Sequence, residues 1–349
     1  MLRFRSFNCV LVAATIAAPL TVCAANIADF SDYSLRTPGG QLVLPGRLFV
    51  PAEASDPASK RPMIVYLHGG TGGTNNMAQI EQTPDYLVEE AKARGAFLYV
   101  PQSPSTWAST SLIDSAMSMI TRLVTEQRVD ANRLYATGYS NGGGGTWNLL
   151  SRNSHRFAAA VAVSSVAPAP GFVAKNLLGT AIIAVHARDD ASVRVDRSRT
   201  VVNGVLAAAG QPLPVYPHSA SDEYLVIANP ALSFHRDVIE SEPPGSTTHH
   251  FITDPSLDLM YFEHGTGGHL GMFGVYFSPP IYDWMFAHSL ISPEPSGATL
   301  AATVGLVLCS HRRRTRGRSC TLRSPRHELL TIPAVAATRD LRAGSQRLR

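Results

Sequence analysis

One serine of the chain stands where a nucleophile would be expected. Residues 138–142, GYSNG, have the pattern G-x-S-x-G and follow an apolar run that predicts a strand, Arg133–Thr137. In a sharp turn from strand to helix, the residues two before and two after the serine crowd its side chain, so glycine suits both positions. The turn presents the hydroxyl above a sheet, beside the positive end of a helix. The pattern predicts that Ser140 is a nucleophile.

A serine hydroxyl needs a base to accept its proton and an acid to orient that base. After such a turn, the chain order of the partners is Asp or Glu first and His second. Asp189 and Asp190 both follow the predicted strand Thr180–Val185, and both qualify as the acid. We favour Asp190 as the acid, and a helix-capping role suits Asp189.

Two histidines follow the last predicted strand, Leu257–Phe262. His264 stands at the strand end, where a structural histidine is expected, whereas His269 lies in a glycine-rich loop ahead of a helical pattern. A loop position lets an imidazole swing over the serine. We therefore predict His269 as the base.

The reaction also needs N–H donors for a negatively charged oxygen, and two segments can supply them. One donor is the backbone N–H of Asn141, directly after the nucleophile. The other belongs to the loop HGGT, residues 68–71, which predicts Gly70 or Thr71 as the donor and His68 as a packing residue beneath the loop. Two aromatic residues, Trp107 and Tyr139, are candidate substrate contacts, although packing suits Trp107 equally well. The pattern implies no metal and no cofactor.

The elements that must position these residues alternate along residues 26–291. Several strand patterns are near-continuous apolar runs, which are typical of a parallel sheet covered on both faces. The alternation predicts a doubly wound, mostly parallel α/β sheet. The predicted strands are Gln41–Val50, Pro62–Leu67, Ala96–Val100, Arg133–Thr137, Ala158–Val163, Thr180–Val185 and Leu257–Phe262, and the predicted helices are Asp85–Arg94, Ser111–Glu126, Gly143–Ser151, Ser198–Ala209 and one near Ile281–His288. Residues 210–256 interrupt this rhythm and are interpreted either as a lid or as a surface excursion.

Charge and cysteine content exclude some classes of protein. The chain of 349 residues has a formal net charge of +4, but its two ends carry the positive charge and the residues between them are net acidic. This gives no reason to expect nucleic-acid binding. No cysteine lies between residues 24 and 308, so the stability of that part must come from its core.

The first 25 residues have the order of an export signal. Arg3 and Arg5 precede an apolar run, Cys9–Val22, and small residues end at Ala25. We predict a signal peptide over residues 1–25, a catalytic domain over 26–291 and an exported protein of the cell envelope or the exterior. A buried first helix is the alternative.

The stretches HGG, RLYATGYSNGG, RFAAAVAVSS and the H-x-x-x-D of HARDD resemble the α/β-hydrolase superfamily. Within it, they resemble a secreted esterase group with polyhydroxybutyrate depolymerase-like and feruloyl esterase-like members. The resemblance implies that Ser140, His269 and Asp190 are nucleophile, base and acid. Two departures leave the substrate open: the domain lacks cysteines near the HGGT loop, and Met272 stands where relatives commonly have tryptophan.

Residues 293–318 resemble a PEP-CTERM sorting signal. A Pro-Glu-Pro triplet leads into an apolar stretch, Ala298–Cys309, and then into the arginine cluster Arg312–Arg314. The resemblance implies export and sorting machinery as partners, with transient membrane anchoring through residues 296–310. The chain departs from such signals because it continues through a basic tail, residues 319–349, which we expect to be disordered. An ordinary C-terminal helix with a basic end is the alternative.

The sequence thus predicts an exported serine hydrolase that cleaves small-molecule or polymeric carboxylic esters. Two alternatives remain: a serine peptidase of the same fold, and an inactive hydrolase fold that serves as a surface binding module.

Overall fold

Apolar segments of the chain fold into strands, and amphipathic segments between them fold into helices. The computed structural model describes residues 26–70, 72–216, 249–254 and 257–290, with only the backbone described over 249–254. All of these residues belong to the first of two units, Met1–Ser292 and Pro293–Arg349. The predicted export signal, sorting signal and basic tail lie outside the described residues, as do Thr71 and most of residues 210–256. No helix in the described ranges is long and apolar enough to cross a membrane.

The elements follow one another in the predicted alternation. The strands are β1 Ser31–Asp32, β2 Leu35–Arg36, β3 Leu42–Leu44, β4 Gly46–Phe49, β5 Arg61–Leu67, β6 Phe97–Pro101, β7 Val129–Tyr139, β8 Ala159–Val163, β9 Ala181–Ala187, β10 His249–Asp254 and β11 Leu259–His264. The α-helices are α1 Ala78–Glu81, α2 Asp85–Ala93, α3 Thr110–Glu126, α4 Asn141–Arg152, α5 Asp196–Ala208, α6 Gly268–Gly271 and α7 Pro279–Ala287. Short 3-10 helices occupy Ile27–Asp29, Ala52–Ser55, Ala174–Leu177 and Met272–Phe277.

Nine of the described strands form one sheet in the order β1-β4-β6-β5-β7-β8-β9-β11-β10. The run from β6 to β11 is parallel, whereas β4 pairs antiparallel with both β6 and β1 at one edge, and β10 pairs antiparallel with β11 at the other. This confirms the predicted doubly wound, mostly parallel α/β sheet.

Successive side chains of the central strands enter two separate apolar layers. In β8, Val161 and Val163 pack on one face, with α2 and α7, while Ala160 and Ala162 pack on the other, with α3, α4 and α5. Both faces of the sheet are therefore buried, which explains why its strands read as continuous apolar runs.

Two predictions about the sheet edges were wrong in detail. The predicted strand Gln41–Val50 is divided at Pro45, so that β3 pairs with β2 in a separate two-stranded sheet and β4 joins the main sheet. Proline has no N–H to donate to a neighbouring strand, so it marks the break. Strand β10 lies within residues 210–256, where no strand was predicted. Its sequence, HHFITD, lacks the apolar run of the central strands because β10 is the last strand at one edge of the sheet.

Helix α4 lies unusually close to the strands beneath it. A Cβ atom on Gly142 would fall far inside van der Waals contact with the carbonyl oxygen of Leu67, at the end of β5. A Cβ on Gly143 would lie 2.8 Å from the Cβ of Ser165, and one on Gly145 would lie 2.6 Å from the Cβ of Trp107. The glycine run therefore allows the helix that follows Ser140 to approach the end of β5 and the side chains of Ser165 and Trp107 more closely than a residue with a Cβ atom could.

We predict that Gly142→Ala destabilises the protein by about 3 kcal/mol or more, because the added methyl group meets backbone that cannot move aside. Gly274→Ala is the matched control, since a Cβ there would have no atom within 4 Å. Denaturant unfolding of both variants measures the difference. Equal stability of the two variants would contradict the close packing of α4.

Candidate active site

Ser140 occupies a tight turn between β7 and α4. Its backbone has φ +57° and ψ −115°, a conformation that a residue with a side chain seldom adopts. Its N–H donates to the carbonyl of Val163 at 2.8 Å, and its carbonyl accepts from the N–H of Val166 at 3.1 Å. The neighbouring strand β8 and the loop after it thus hold a strained backbone, of the kind that costs about 1–3 kcal/mol and clusters at functional sites.

The structure brings the three predicted side chains into one line. Nε2 of His269 lies 2.9 Å from Oγ of Ser140, and Nδ1 of the same ring lies 2.7 Å from Oδ2 of Asp190. The Asp190 side chain is fully buried, whereas the His269 side chain is 15% exposed. The line therefore runs from a buried carboxylate to a hydroxyl at the protein surface.

Hydrogen bonds keep the carboxylate of Asp190 charged. Its Oδ1 accepts from the backbone N–H groups of Ser192 at 2.9 Å and Val193 at 2.8 Å. Burial alone would raise the pKa of Asp190, but the hydrogen bonds from Val193 and His269 outweigh it and hold that pKa below its usual value. An ionised carboxylate only accepts, so Nδ1 of His269 carries the proton, and Nε2 is left to accept one from Ser140.

The neighbouring carboxylate, Asp189, holds the backbone of the same loop. Its Oδ1 accepts from the N–H of Gly268 at 2.7 Å, and its Oδ2 accepts from the N–H of Gly267 at 3.2 Å. Asp189 thus caps α6, the short helix that carries His269, rather than the next helix along the chain. The sequence suggested a capping role for this residue without showing which helix it serves.

The two aromatic residues predicted to contact substrate, Tyr139 and Trp107, instead make hydrogen bonds to the segments that form the site. Tyr139 donates its hydroxyl hydrogen to the carbonyl of His269 at 2.9 Å, and its ring centroid lies 4.9 Å from that of the imidazole. Trp107 is fully buried and donates its indole N–H to the carbonyl of His68 at 3.1 Å. Both placements suit packing beneath the site rather than lining of an open cleft.

The predicted oxyanion segments lie side by side. Asn141 is the first residue of α4, where a backbone N–H has no partner within the helix. Its side chain connects the two segments, because Nδ2 donates to the carbonyl of Gly70 at 2.5 Å and Oδ1 accepts from the N–H of Trp107 at 3.2 Å. Sequence reasoning missed this role of the Asn141 side chain. Thr71, the other predicted donor, lies outside the described residues.

The histidines set aside as structural are buried. Nε2 of His68 accepts from the N–H of Ser103 at 2.9 Å, so Nδ1 carries the proton and donates to the carbonyl of Gly69 at 2.8 Å. Burial lowers the pKa of His68 and favours this neutral form. His264 is buried at the end of β11. In the described part of the chain, no cluster of His, Cys, Asp or Glu side chains is arranged to hold a metal ion.

One residue close to Asp190 was not assigned a role from the sequence. His186 is fully buried, and its Nε2 lies 3.2 Å from Oδ2 of Asp190. The signal that could have identified it is the four-residue spacing between histidine and aspartate in HARDD. The chain turns after β9, and this turn brings Asp190 back to His186.

Similar proteins are found by family and by structure. The model of the prolyl oligopeptidase family matches residues 108–203, a range that includes Ser140 and Asp190 but not His269. A thermostable esterase has a similar structure, with 23% sequence identity and a TM-score of 0.55 over 75% of this chain and 64% of that chain. This chain therefore spans less than two thirds of that esterase. Among curated proteins, none matches this sequence.

Two further structures have lower TM-scores. An acetyl xylan esterase from Aspergillus awamori is 16% identical, with a TM-score of 0.48 over 73% of this chain and 98% of that chain. Dipeptidyl peptidase 4 of Porphyromonas gingivalis is 18% identical, with a TM-score of 0.41 over 52% of this chain and 31% of that chain.

The sheet order, the turn at Ser140 and the likeness to the thermostable esterase define the α/β-hydrolase fold. The family match over residues 108–203 agrees with this fold and covers both Ser140 and Asp190.

Proposed function

We propose that the chain is an exported serine hydrolase that cleaves carboxylic esters through an acyl-enzyme intermediate. The observation that carries the proposal is the line of hydrogen bonds from Asp190 through His269 to Ser140, with spacings of 2.7 and 2.9 Å. Such a line turns a weakly nucleophilic hydroxyl into one that can attack a carbonyl carbon.

In the first step, Oγ of Ser140 attacks the ester carbonyl while Nε2 of His269 accepts the hydroxyl proton. The carbonyl oxygen becomes negatively charged and is stabilised by N–H groups of Asn141 and the Gly70 segment, beside the N-terminus of α4. Asp190 stabilises the imidazolium that forms. The tetrahedral intermediate then collapses, His269 protonates the leaving alcohol, and the acyl group stays on Ser140.

In the second step, water repeats this sequence. His269 accepts a proton from the water, the hydroxide attacks the acyl carbon, and the proton passes to Oγ of Ser140 as the acid departs. No step needs a metal or an organic cofactor, because the protein's own residues supply the base, the nucleophile and the oxyanion donors.

The choice of ester rests on the sequence resemblance to secreted esterases. A peptide substrate is the second candidate, and the match to the prolyl oligopeptidase family over residues 108–203 favours it. Both reactions use the same nucleophile and base, so the arrangement of the three side chains does not separate them.

We predict that a fluorophosphonate probe labels the wild-type protein at Ser140 and leaves Ser140→Ala unlabelled. Ester turnover should fall about 10³-fold or more in His269→Ala and in Asp190→Asn, because either change removes the base or its orientation. Mass spectrometry of the labelled protein and initial rates measure these effects. Absence of labelling in the folded wild-type protein would instead favour an inactive fold that serves as a binding module.

We predict that p-nitrophenyl esters are hydrolysed with kcat/KM at least roughly tenfold above that of peptide p-nitroanilides, which corresponds to about 1.4 kcal/mol of transition-state stabilisation. A panel of short-chain, aromatic and polymeric esters, beside proline- and alanine-containing anilides, provides the comparison. The Ser140→Ala protein is the control for background hydrolysis. The reverse preference would replace the esterase proposal with that of a peptidase.

Export is proposed from the residue order at the N-terminus, where two arginines precede an apolar run and small residues. Cleavage by a signal peptidase would give a mature protein that begins at Ala25 or Asn26. N-terminal sequencing of the protein from envelope and medium fractions tests this, and an intact Met1 would contradict it.

A further inference from the structure

A second imidazole lies beneath the proposed catalytic residues. His186 is on β9, four residues before Asp190, and its side chain has no solvent exposure. Its Nε2 lies 2.8 Å from the carbonyl oxygen of Val193 and 3.2 Å from Oδ2 of Asp190. Its Nδ1 lies 2.8 Å from Oγ of Ser198, in the first turn of α5. Both ring nitrogens are therefore engaged.

The hydrogen bond at Ser198 is part of a buried chain that ends on helix α4. Oγ of Ser198 lies 2.9 Å from Oγ of Ser165, and Oγ of Ser165 accepts from the indole N–H of Trp147 at 2.8 Å. All four side chains are almost completely buried, so solvent does not compete for these bonds.

The two ends of this chain fix its direction. An indole N–H of Trp147 can only donate, and the carbonyl of Val193 can only accept. The hydroxyl of Ser165 therefore donates to Ser198, and the hydroxyl of Ser198 donates to Nδ1 of His186. The proton of the imidazole is then on Nε2, which faces Val193 and Asp190. In this arrangement every donor and acceptor of the chain has a partner.

The surroundings of His186 favour the neutral ring. Burial lowers the pKa of His186, although the Val193 carbonyl and the carboxylates of Asp190 and Glu263 oppose this effect. The charge of Glu263, the register partner of His186 on β11, is shared with Arg199 at 2.5 Å and Arg188 at 3.3 Å.

The remaining ionisable groups around the ring are His269, which further lowers the pKa of His186, and Tyr261 on β11, whose hydroxyl donates to Glu263 at 2.9 Å. A neutral ring with its proton on Nε2 is thus consistent with the charges that face it from β9, β11, α5 and the loop between β9 and α5.

We propose that His186 is a positioning residue for the proposed hydrolysis: its neutral ring donates the Nε2–H to the Val193 carbonyl and places the same N–H edge 3.2 Å from the Asp190 carboxylate. The N–H of Val193 in turn donates to Oδ1 of Asp190, so the ring fixes a residue that holds the carboxylate. The partial positive charge of the Nε2–H also faces Oδ2 of Asp190 and stabilises the charged carboxylate when His269 becomes an imidazolium.

The chain of bonds also connects the two halves of the site. Trp147 belongs to the helix that starts directly after Ser140, and His186 belongs to the strand that delivers Asp190. Two sets of hydrogen bonds thus connect the segments that carry Ser140 and Asp190. One passes through His269, and the other is the buried chain from Trp147 to His186.

The test replaces the imidazole and the hydroxyl that donates to it. The double variant His186→Phe with Ser198→Ala puts apolar groups in place of both partners, which is less destabilising than removal of one of them, although the Ser165 hydroxyl and the Val193 carbonyl each lose a partner. We expect kcat for an ester substrate to fall roughly tenfold, because the Asp190 carboxylate loses the N–H edge that faces it, with little change in KM.

The pH profile separates positioning from a structural role. Without the Nε2–H edge of His186 beside it, the Asp190 carboxylate attracts the proton of His269 more strongly, so the acidic limb of the kcat/KM profile should move to higher pH. Ser151→Ala, which removes a buried serine hydroxyl on α4 that is bonded to Val173, is the matched control, and its limb should overlie that of the wild type. The proposal would be overturned if the double variant lost activity without a shift in the acidic limb of its kcat/KM profile, or if it lost no activity at all.

A second measurement does not depend on activity. Long-range ¹H–¹⁵N spectra of histidine-labelled protein report which ring nitrogen carries the proton, and the signal of His186 is the one lost in the double variant. We expect a proton on Nε2 and none on Nδ1 at neutral pH. A proton on Nδ1 there would overturn the proposal. A wild-type protein that fails to hydrolyse esters would instead count against the proposed function.

Discussion

A buried carboxylate must be hydrogen-bonded through both of its oxygens, and the site is organised around this requirement at Asp190. Two backbone N–H groups of its own loop bind Oδ1, and the ring of His269 binds Oδ2 from a loop 79 residues further along the chain. The bond to His269 fixes the ring so that its other nitrogen faces Ser140. If this carboxylate lost its charge, the imidazole of His269 would lose its orientation, and the hydroxyl of Ser140 would lose its hydrogen-bond partner.

The sheet register explains how segments so distant in sequence meet. Strands β9 and β11 are parallel neighbours, and Ala187 at the end of one lies opposite His264 at the end of the other. The loops that carry Asp190 and His269 therefore both begin at the carboxyl ends of neighbouring strands, on the same side of the sheet. Strand β8 lies on the other side of β9, and its end holds the backbone of Ser140 through Val163. The ends of β7, β8, β9 and β11 thus bring Ser140, Asp190 and His269 together without a disulfide in the described residues.

The sequence predicted those parts of the site that depend on local geometry. Gly138 and Gly142 mark a turn in which a side chain at either position would overlap backbone atoms. The order of acid and base along the chain follows from the topology of the fold. The sequence could not predict roles that depend on which loops become neighbours. Asp189 binds the backbone of α6, and the Asn141 side chain binds the Gly70 loop, only because the fold places them together. The same holds for β10, whose edge position removes the apolar pattern by which central strands are recognised.

The adjacent residues Asp189 and Asp190 show how one loop can perform two tasks on the same partner. The two residues lie at the turn that follows β9, where Asp190 is buried and Asp189 is exposed. The exposed one binds two backbone N–H groups of the segment that carries His269, and the buried one binds the ring itself. The loop that carries His269 and the ring of His269 are therefore both held by the turn after β9. A rigid imidazole needs both contacts, because a fixed loop with a free ring, or a fixed ring on a moving loop, would leave Nε2 without a constant distance to the serine hydroxyl.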